Sequence, residues 1–219
     1  MKGGAIAAAL LGSAWLAGCG HASSDEGAPQ PLRVHRAGAN VVVVVDTSGE
    51  MAGERLARAR AGLDELVRAL PARDHVGLAR FSEQLEPLLP VEGARSNRRR
   101  LRAAVASLEA GGHSAVYDAT LQAYGIQREL AGGRHLNTVV VLAHGEDSAS
   151  RSSYGRVRRL LGAQGSGVRV RVFTIAYDTD PDAGVRQALH AFASVSGGRS
   201  YRASPADVDT VLRTVWQAL

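Results

Sequence analysis

Lysine and cysteine are almost missing from this chain of 219 residues. Lys2 is the sole lysine and Cys19 the sole cysteine; every other basic residue, His aside, is an arginine. One cysteine excludes an internal disulfide framework and any Cys-rich zinc or iron–sulfur site. One lysine, placed at the extreme N-terminus, excludes the phosphate-binding Gly-Lys-Ser/Thr loop, the Schiff-base lysine of a pyridoxal enzyme and the strand lysine of a kinase. Aromatic residues are also scarce, at 5%. What is present is ordinary for a folded protein: 45% hydrophobic and 21% charged residues, enough for one domain or one domain plus a tail. The formal charge of +5 is modest and 21 acidic residues are interspersed, so no nucleic-acid partner is expected.

Residues 1–18 place one positive charge ahead of a short apolar run, the form of a secretory signal. The run from Gly3 to Gly18 is short for a bilayer span, which needs about 20 residues. Leu16-Ala17-Gly18-Cys19 resembles the bacterial lipobox. That resemblance implies cleavage before Cys19, a lipid on its thiol, and anchorage to a cell membrane or outer membrane by two or three acyl chains. Residues 19–38 are rich in Gly, Ser, Pro and charge, without an apolar period, and read as a lipidated flexible tether.

From Asn40 the pattern changes. Val41 to Val45 is a run of valines ending at Asp46, the signature of a strand buried on both faces. Leu56, Ala59, Leu63, Leu66, Val67 and Leu70 then recur at helical spacing up to Pro71. Val76–Phe81 and Leu85–Val91 read as strands separated by too few residues for a crossover, so they are expected to pair antiparallel, with Pro87 and Pro90 placing the second at an edge. Ser96 is expected to cap the next helix. Further helices are expected near 115–130, 154–163, 185–195 and 206–219, and strands at 137–143, 168–177 and 199–202. The alternation predicts an α/β fold: a doubly wound, Rossmann-like, mostly parallel six-stranded sheet with one antiparallel edge strand and helices on both faces. The loops after Asp46, before Ala115 and after Ala143 are expected to converge beyond the strand C-termini, where such sheets bind ligands.

Several segments carry a family resemblance. Asp46-Thr47-Ser48-Gly49-Glu50 resembles the Asp-x-Ser-x-Ser loop of von Willebrand factor type A domains. Gly111-Gly112-His113-Ser114-Ala115-Val116-Tyr117-Asp118-Ala119 resembles the family's Gly-Gly-x-Thr-x-Leu-Tyr-Asp-Ala loop, and Leu142-Ala143-His144-Gly145-Glu146-Asp147 its Leu-Thr-Asp-Gly-Glu-Asp segment. The likeness runs over residues 39–219 in the same order.

This resemblance implies a metal-ion-dependent adhesion site, in which a hard dication takes oxygen ligands and one corner is left for a partner's carboxylate. By that pattern Asp46 and Ser48 are retained and Ser114 keeps a hydroxyl in place of threonine, while Glu50 replaces a serine and His144 an aspartate. Three readings follow. The metal is lost and a protonated His144 supplies a positive charge beside Asp46 and Glu50. Or magnesium or manganese binds weakly through Asp46, Ser48, Glu50 and Ser114. Or Asp46, Glu50 and His144, with His113, form a zinc- or manganese-type site.

The expected function is non-catalytic: protein binding or scaffolding at the cell envelope, with an envelope or extracellular protein docking on Asp46, Ser48, Glu50, His113, Ser114 and His144, and the membrane engaged through the lipid. The family also implies an alternative, an accessory subunit of an ATPase or chelatase, which an export signal argues against. A serine hydrolase built on Gly112-His113-Ser114 lacks the second glycine and the preceding strand that a nucleophile elbow needs. Two further clusters stand out. Arg95, Arg98, Arg99, Arg100 and Arg102 form the densest positive run, a solvated helix start or a contact for an anionic partner. Asp178, Asp180 and Asp182 alternate, without the spacing or distal glutamate of a calcium loop.

Overall fold

The computed structural model describes residues 38–219 apart from 133–134, 166 and 180–183. Residues 1–18, expected to be a signal, Cys19, the expected tether up to residue 37, Asp180 and Asp182 lie outside the described residues. Among those described, no helix is long and apolar enough to cross a membrane.

Six strands form one sheet: β1 (Ala39–Asp46), β2 (His75–Phe81), β3 (Leu85–Gly93), β4 (Leu136–Ala143), β5 (Val170–Tyr177) and β6 (Ser200–Ala203). Their order is β3-β2-β1-β4-β5-β6, and every pair is parallel except β2 with β3. Pro87 and Pro90 fall on that antiparallel edge strand, which shifts register twice along β2. The helices are α1 (Glu54–Ala69), α2 (Ala94–Ala106), α3 (Val116–Leu130), α4 (Tyr154–Gly162), α5 (Gly184–Ser196) and α6 (Val208–Ala218).

The valine run explains the layering. Side chains alternate across a strand, so Val41, Val43 and Val45 enter the core beneath α1, α2 and α6, while Val42 and Val44 enter the core beneath α3, α4 and α5. β4 does the same, with Val140 and Leu142 on one side and Val139 and Val141 on the other. The central strands are therefore apolar at successive positions, and the polar residues are pushed to their ends. The chain winds one way from β1 to β2 and the other from β1 to β4. The reversal leaves a crevice at the C-terminal tips of β1 and β4, where Asp46 and Ala143 end.

Two expectations need correction. Ser96 does not cap α2. The backbone N–H of Ala94 donates to the Asp74 carbonyl, so β3 passes directly into the helix, and the Ser96 hydroxyl instead donates back to the Gly93 carbonyl. The fifth strand starts at Val170, not Val168, because the Gln164 side chain bonds both the N–H and the carbonyl of Val170 and fixes the entry there.

Gly198 marks the tightest approach of two elements: a Cβ there would collide with the backbone carbonyl of Val172. Gly125, inside α3, has open space around it. Chemical denaturation of the two alanine variants is therefore expected to give opposite signs. Gly198→Ala should lose about 1–3 kcal/mol by overpacking, whereas Gly125→Ala should gain about 0.5–1 kcal/mol through helix propensity.

Candidate functional site at the strand tips

β1 delivers Asp46 to the sheet's C-terminal edge fully buried. Its carboxylate is the common acceptor of three segments. Oδ1 accepts the Ser48 N–H at 2.8 Å. Oδ2 accepts the His144 N–H at 3.1 Å and, more weakly, the Ser114 hydroxyl at 3.4 Å. The loop after β1, the loop before α3 and the end of β4 thus meet on one side chain. Burial raises the Asp46 carboxyl above the usual aspartate range, against the lowering effect of the Ser48 N–H and hydroxyl and of the His144 N–H and charge.

The backbone reinforces this junction. Gly49 N–H donates to the Gly112 carbonyl and Gly111 N–H to the Thr47 carbonyl, lacing the first two loops together. Gly112 adopts φ 77°, a left-handed conformation that suits glycine. The residues after Ser48 form one 3-10 turn, Gly49–Met51, which seats Met51 in the core and leaves Glu50 exposed.

The structure brings Asp46, Ser48, Ser114 and His144 together. Ser48 and Ser114 are 1% and 2% exposed, so both hydroxyls are withdrawn from solvent. The Ser48 Oγ lies beside Asp46, yet it has no partner at hydrogen-bond geometry among the described residues. His144 meets Asp46 through its backbone. Its ring turns to β5, where Nδ1 donates to the Tyr177 carbonyl at 2.8 Å. The Glu50 carboxylate fills the place that a Cβ on Gly145 would take, and Gly145 has φ 75°. His113 is exposed on the loop before α3. Among the described residues, no three His, Cys, Asp or Glu side chains gather as a metal-holding group. Ser114 sits in a loop after α2 rather than after a strand, and no hydrogen bond joins it to His144 among the described residues.

From sequence, Glu146 and Asp147 read as surface-loop residues that could shape the binding face, and Asp118 has no role of its own. Asp118 accepts the N–H groups of Arg151 (2.7 Å) and Ser152 (3.0 Å). Asp147 accepts the Tyr117 N–H and the Ser150 hydroxyl, and Ser114's carbonyl accepts the N–H groups of Ser148 and Ala149. Together these bonds stitch the loop 144–153 onto the start of α3. Burial would raise the Asp118 carboxyl, but the donors of Arg151 and Ser152 outweigh it and hold the group below the usual range. Asp147 lies above its usual range, because burial there exceeds the help of its donors. Glu146 accepts the Gly184 N–H at the start of α5, where a negative charge suits the helix dipole. Asp178 pairs with Arg55 at 2.6 Å, and beside it the Tyr177 hydroxyl, pushed up to about 12 mainly by burial, donates to the Arg55 carbonyl. The only sequence hint to these partners was the placement of Asp118, Asp147 and Ser150 at strand or helix ends, where short polar side chains bind backbone.

Three of the five arginines in the α2 run have partners, two of them in surface ion pairs. Arg98 donates to the Leu70 carbonyl, Arg100 pairs with Glu92, and Arg102 pairs with Asp64.

The von Willebrand factor type A domain family matches residues 40–213. The inter-alpha-trypsin inhibitor heavy chain H4 of Sus scrofa is 25% identical over 125 residues, a stretch equal to 55% of this chain and 14% of that protein. This chain thus spans a small part of that relative's length. A von Willebrand factor type A structure from Catenulispora acidiphila superposes with TM-score 0.65 at 19% identity, over 81% of this chain and 42% of that one. The vWF domain of the type V pili tip protein Mfa5 from Porphyromonas gingivalis gives 0.64 at 11% identity, over 84% of this chain and 95% of that one. The PilB minor pilin from Streptococcus sanguinis gives 0.65 at 15%, over 86% and 62%. At these identities the superpositions show the fold.

The Asp118 clasp has a pH signature. Its folded carboxyl sits below the unfolded value, so its contribution is present above the ordinary aspartate pKa of about 3.9 and is lost as pH falls through the folded value. Asp118→Ala is expected to cost about 1–3 kcal/mol at neutral pH. Denaturation across a pH series should show that deficit shrinking as the solution is acidified below the ordinary aspartate range.

Proposed function

The chain belongs to the von Willebrand factor type A domain family, and we propose that it is a non-catalytic protein-binding module of the bacterial cell envelope, anchored by a lipid on Cys19. Its docking face is the strand-tip surface formed by Asp46, Ser48, Glu50, His113, Ser114 and His144. The neighbouring folds include a pilus tip protein and a minor pilin, which supports a protein-interaction role. The observation that carries the reading is the Ser48 hydroxyl: buried at the topological switch point beside a buried carboxylate that it helps to stabilise, yet with no partner at hydrogen-bond geometry among the described residues. A buried hydroxyl left unpaired costs free energy, so a site of this kind is completed by an outside group.

The donor set does not fit the family's dication. Asp46, Ser48 and Ser114 offer three oxygens of the right type. The position that would supply a second carboxylate holds His144, whose Nδ1 is spent on the Tyr177 carbonyl and whose element is a poor match for magnesium. Glu50 is exposed and leans on Gly145. Recognition on this face proceeds by shape and hydrogen bonds, with no metal bridging the two proteins. Catalysis by Ser114 is not supported either, since its hydroxyl is turned to Asp46 and is not joined to an imidazole.

Crosslinking on intact cells tests the reading. A single envelope protein should be captured by the wild type and lost in Glu50→Ala/His113→Ala/His144→Ala. Cys19→Ser should move the protein from the membrane to the soluble fraction. Capture that is unchanged in the triple variant would contradict the docking face, and membrane retention of Cys19→Ser would contradict the anchor.

A further inference from the structure

The arginines pair unevenly along the chain, although Arg60, Arg95, Arg98, Arg99 and Arg128 also form no ion pair among the described residues. Arg55, Arg58, Arg68, Arg73, Arg80, Arg100, Arg102 and Arg213 form the ion pairs of the described residues, and all of them lie outside residues 151–202. That segment, which builds α4, β5, α5 and β6, holds nine arginines against three aspartates, while the whole chain carries only +5. An excess of unpaired cations in one flank is a field that attracts an anionic partner.

Two grooves among the described residues draw arginines from that segment: one at the start of β5, lined by Arg169 and Arg171 together with His135 and Asn137, and one beside the outer strand β6. The latter, of about 410 Å³, lies between α5 and β6, lined by Arg186, Gln187, His190, Ser200 and Arg202. No acid lines it. Neither arginine has an ion-pair partner among the described residues, and Arg186 is half-buried, so its charge is only partly served by water. β6 is an outer strand of the sheet, and its outer side pairs with no other strand among the described residues. The opposite edge, β3, is blunted by two prolines and two shifts of register. β6 has neither device; what guards it is Arg202 and its short length. A cationic edge repels a second copy of itself and draws an acidic strand.

The spacing fits an extended chain. α5 connects two parallel strands and so runs antiparallel to β6. Arg186 then stands level with Arg202, and His190 with Ser200. Four residues of helix rise about 6 Å and two residues of strand about 6.6 Å, so the two rungs share the pitch at which an added strand presents alternate side chains. We propose that the α5–β6 groove is a second docking site, which takes an extended acidic peptide segment of a partner protein as a further strand on β6. Carboxylates at alternate positions of that segment face Arg186 with Arg202, and His190 with Ser200. The site does not depend on the strand-tip face and would operate alongside it.

Fluorescence anisotropy with the full chain and two dye-labelled peptides of one composition tests this. One peptide alternates glutamate and threonine; the other carries its glutamates in one block. The alternating peptide should bind tighter and should slow amide exchange at Ser200–Ala203. Arg186→Gln/Arg202→Gln should weaken it by about tenfold or more, and Arg186→Lys/Arg202→Lys should recover most of that loss. Arg156→Gln/Arg158→Gln, an equal charge change on α4, should alter binding by less than about twofold at physiological salt. Equal losses in the α4 and groove variants, equal binding of the two peptides, or unprotected β6 amides would each overturn the proposal. So would phosphatidylglycerol vesicles that bind in an Arg186- and Arg202-dependent way while the peptide does not, since the groove would then serve lipid headgroups.

Discussion

A buried carboxylate organises the top of this molecule. Asp46 ends the central strand with no exposure to solvent, and its two oxygens are satisfied by donors from three separate segments. The donors come from the loop after β1, the loop before α3 and the end of β4. Removing that acceptor would leave the Ser48 and His144 N–H groups without their partner, a cost comparable to several ordinary contacts. The position of the carboxylate follows in turn from the valine run beneath it. A strand apolar on both faces has nowhere to place a charge except at its tip, and the strand order puts that tip at the crevice between β1 and β4.

Around this anchor, the departures from the family pattern read as local rebuilding. The backbone N–H of His144 meets Asp46, a contact that any residue would supply, while its ring ties the end of β4 to the end of β5 through Tyr177. Glu50 lies over a glycine whose backbone conformation and missing Cβ make room for it. Among the described residues, no three His, Cys, Asp or Glu side chains gather as a group that could hold a metal. At the junction stand a pair of withdrawn hydroxyls and one acid, groups suited to hydrogen bonding.

Much of the fold was legible because its signals are local. Two valine-rich runs, helical spacing in α1 and α6, and the short Ser82-Glu83-Gln84 link all report on neighbours in sequence. The convergence of Asp46, Ser48, Ser114 and His144 was legible through family order. The rim was not, because Asp118 and Asp147 act on backbone groups about thirty residues away. Charge was misleading in the same way. Arg100 and Arg102 looked like the densest cationic patch, yet Glu92 and Asp64 reach them in space. The more dispersed arginines from Arg151 to Arg202 form no ion pair among the described residues, which only the folded arrangement reveals. Ser96 has the chemistry of a cap, but tertiary pairing of Ala94 with Asp74 set the helix start instead.

The central claim is that the strand-tip site works through its own side chains and not through a resident dication. Differential scanning calorimetry of the purified protein with and without millimolar magnesium addresses it most directly, because a ligand that binds only the folded state must raise the melting temperature. An unchanged transition in both wild type and Asp46→Ala is the predicted result. A magnesium-dependent rise in the wild type that Asp46→Ala abolishes would contradict the account.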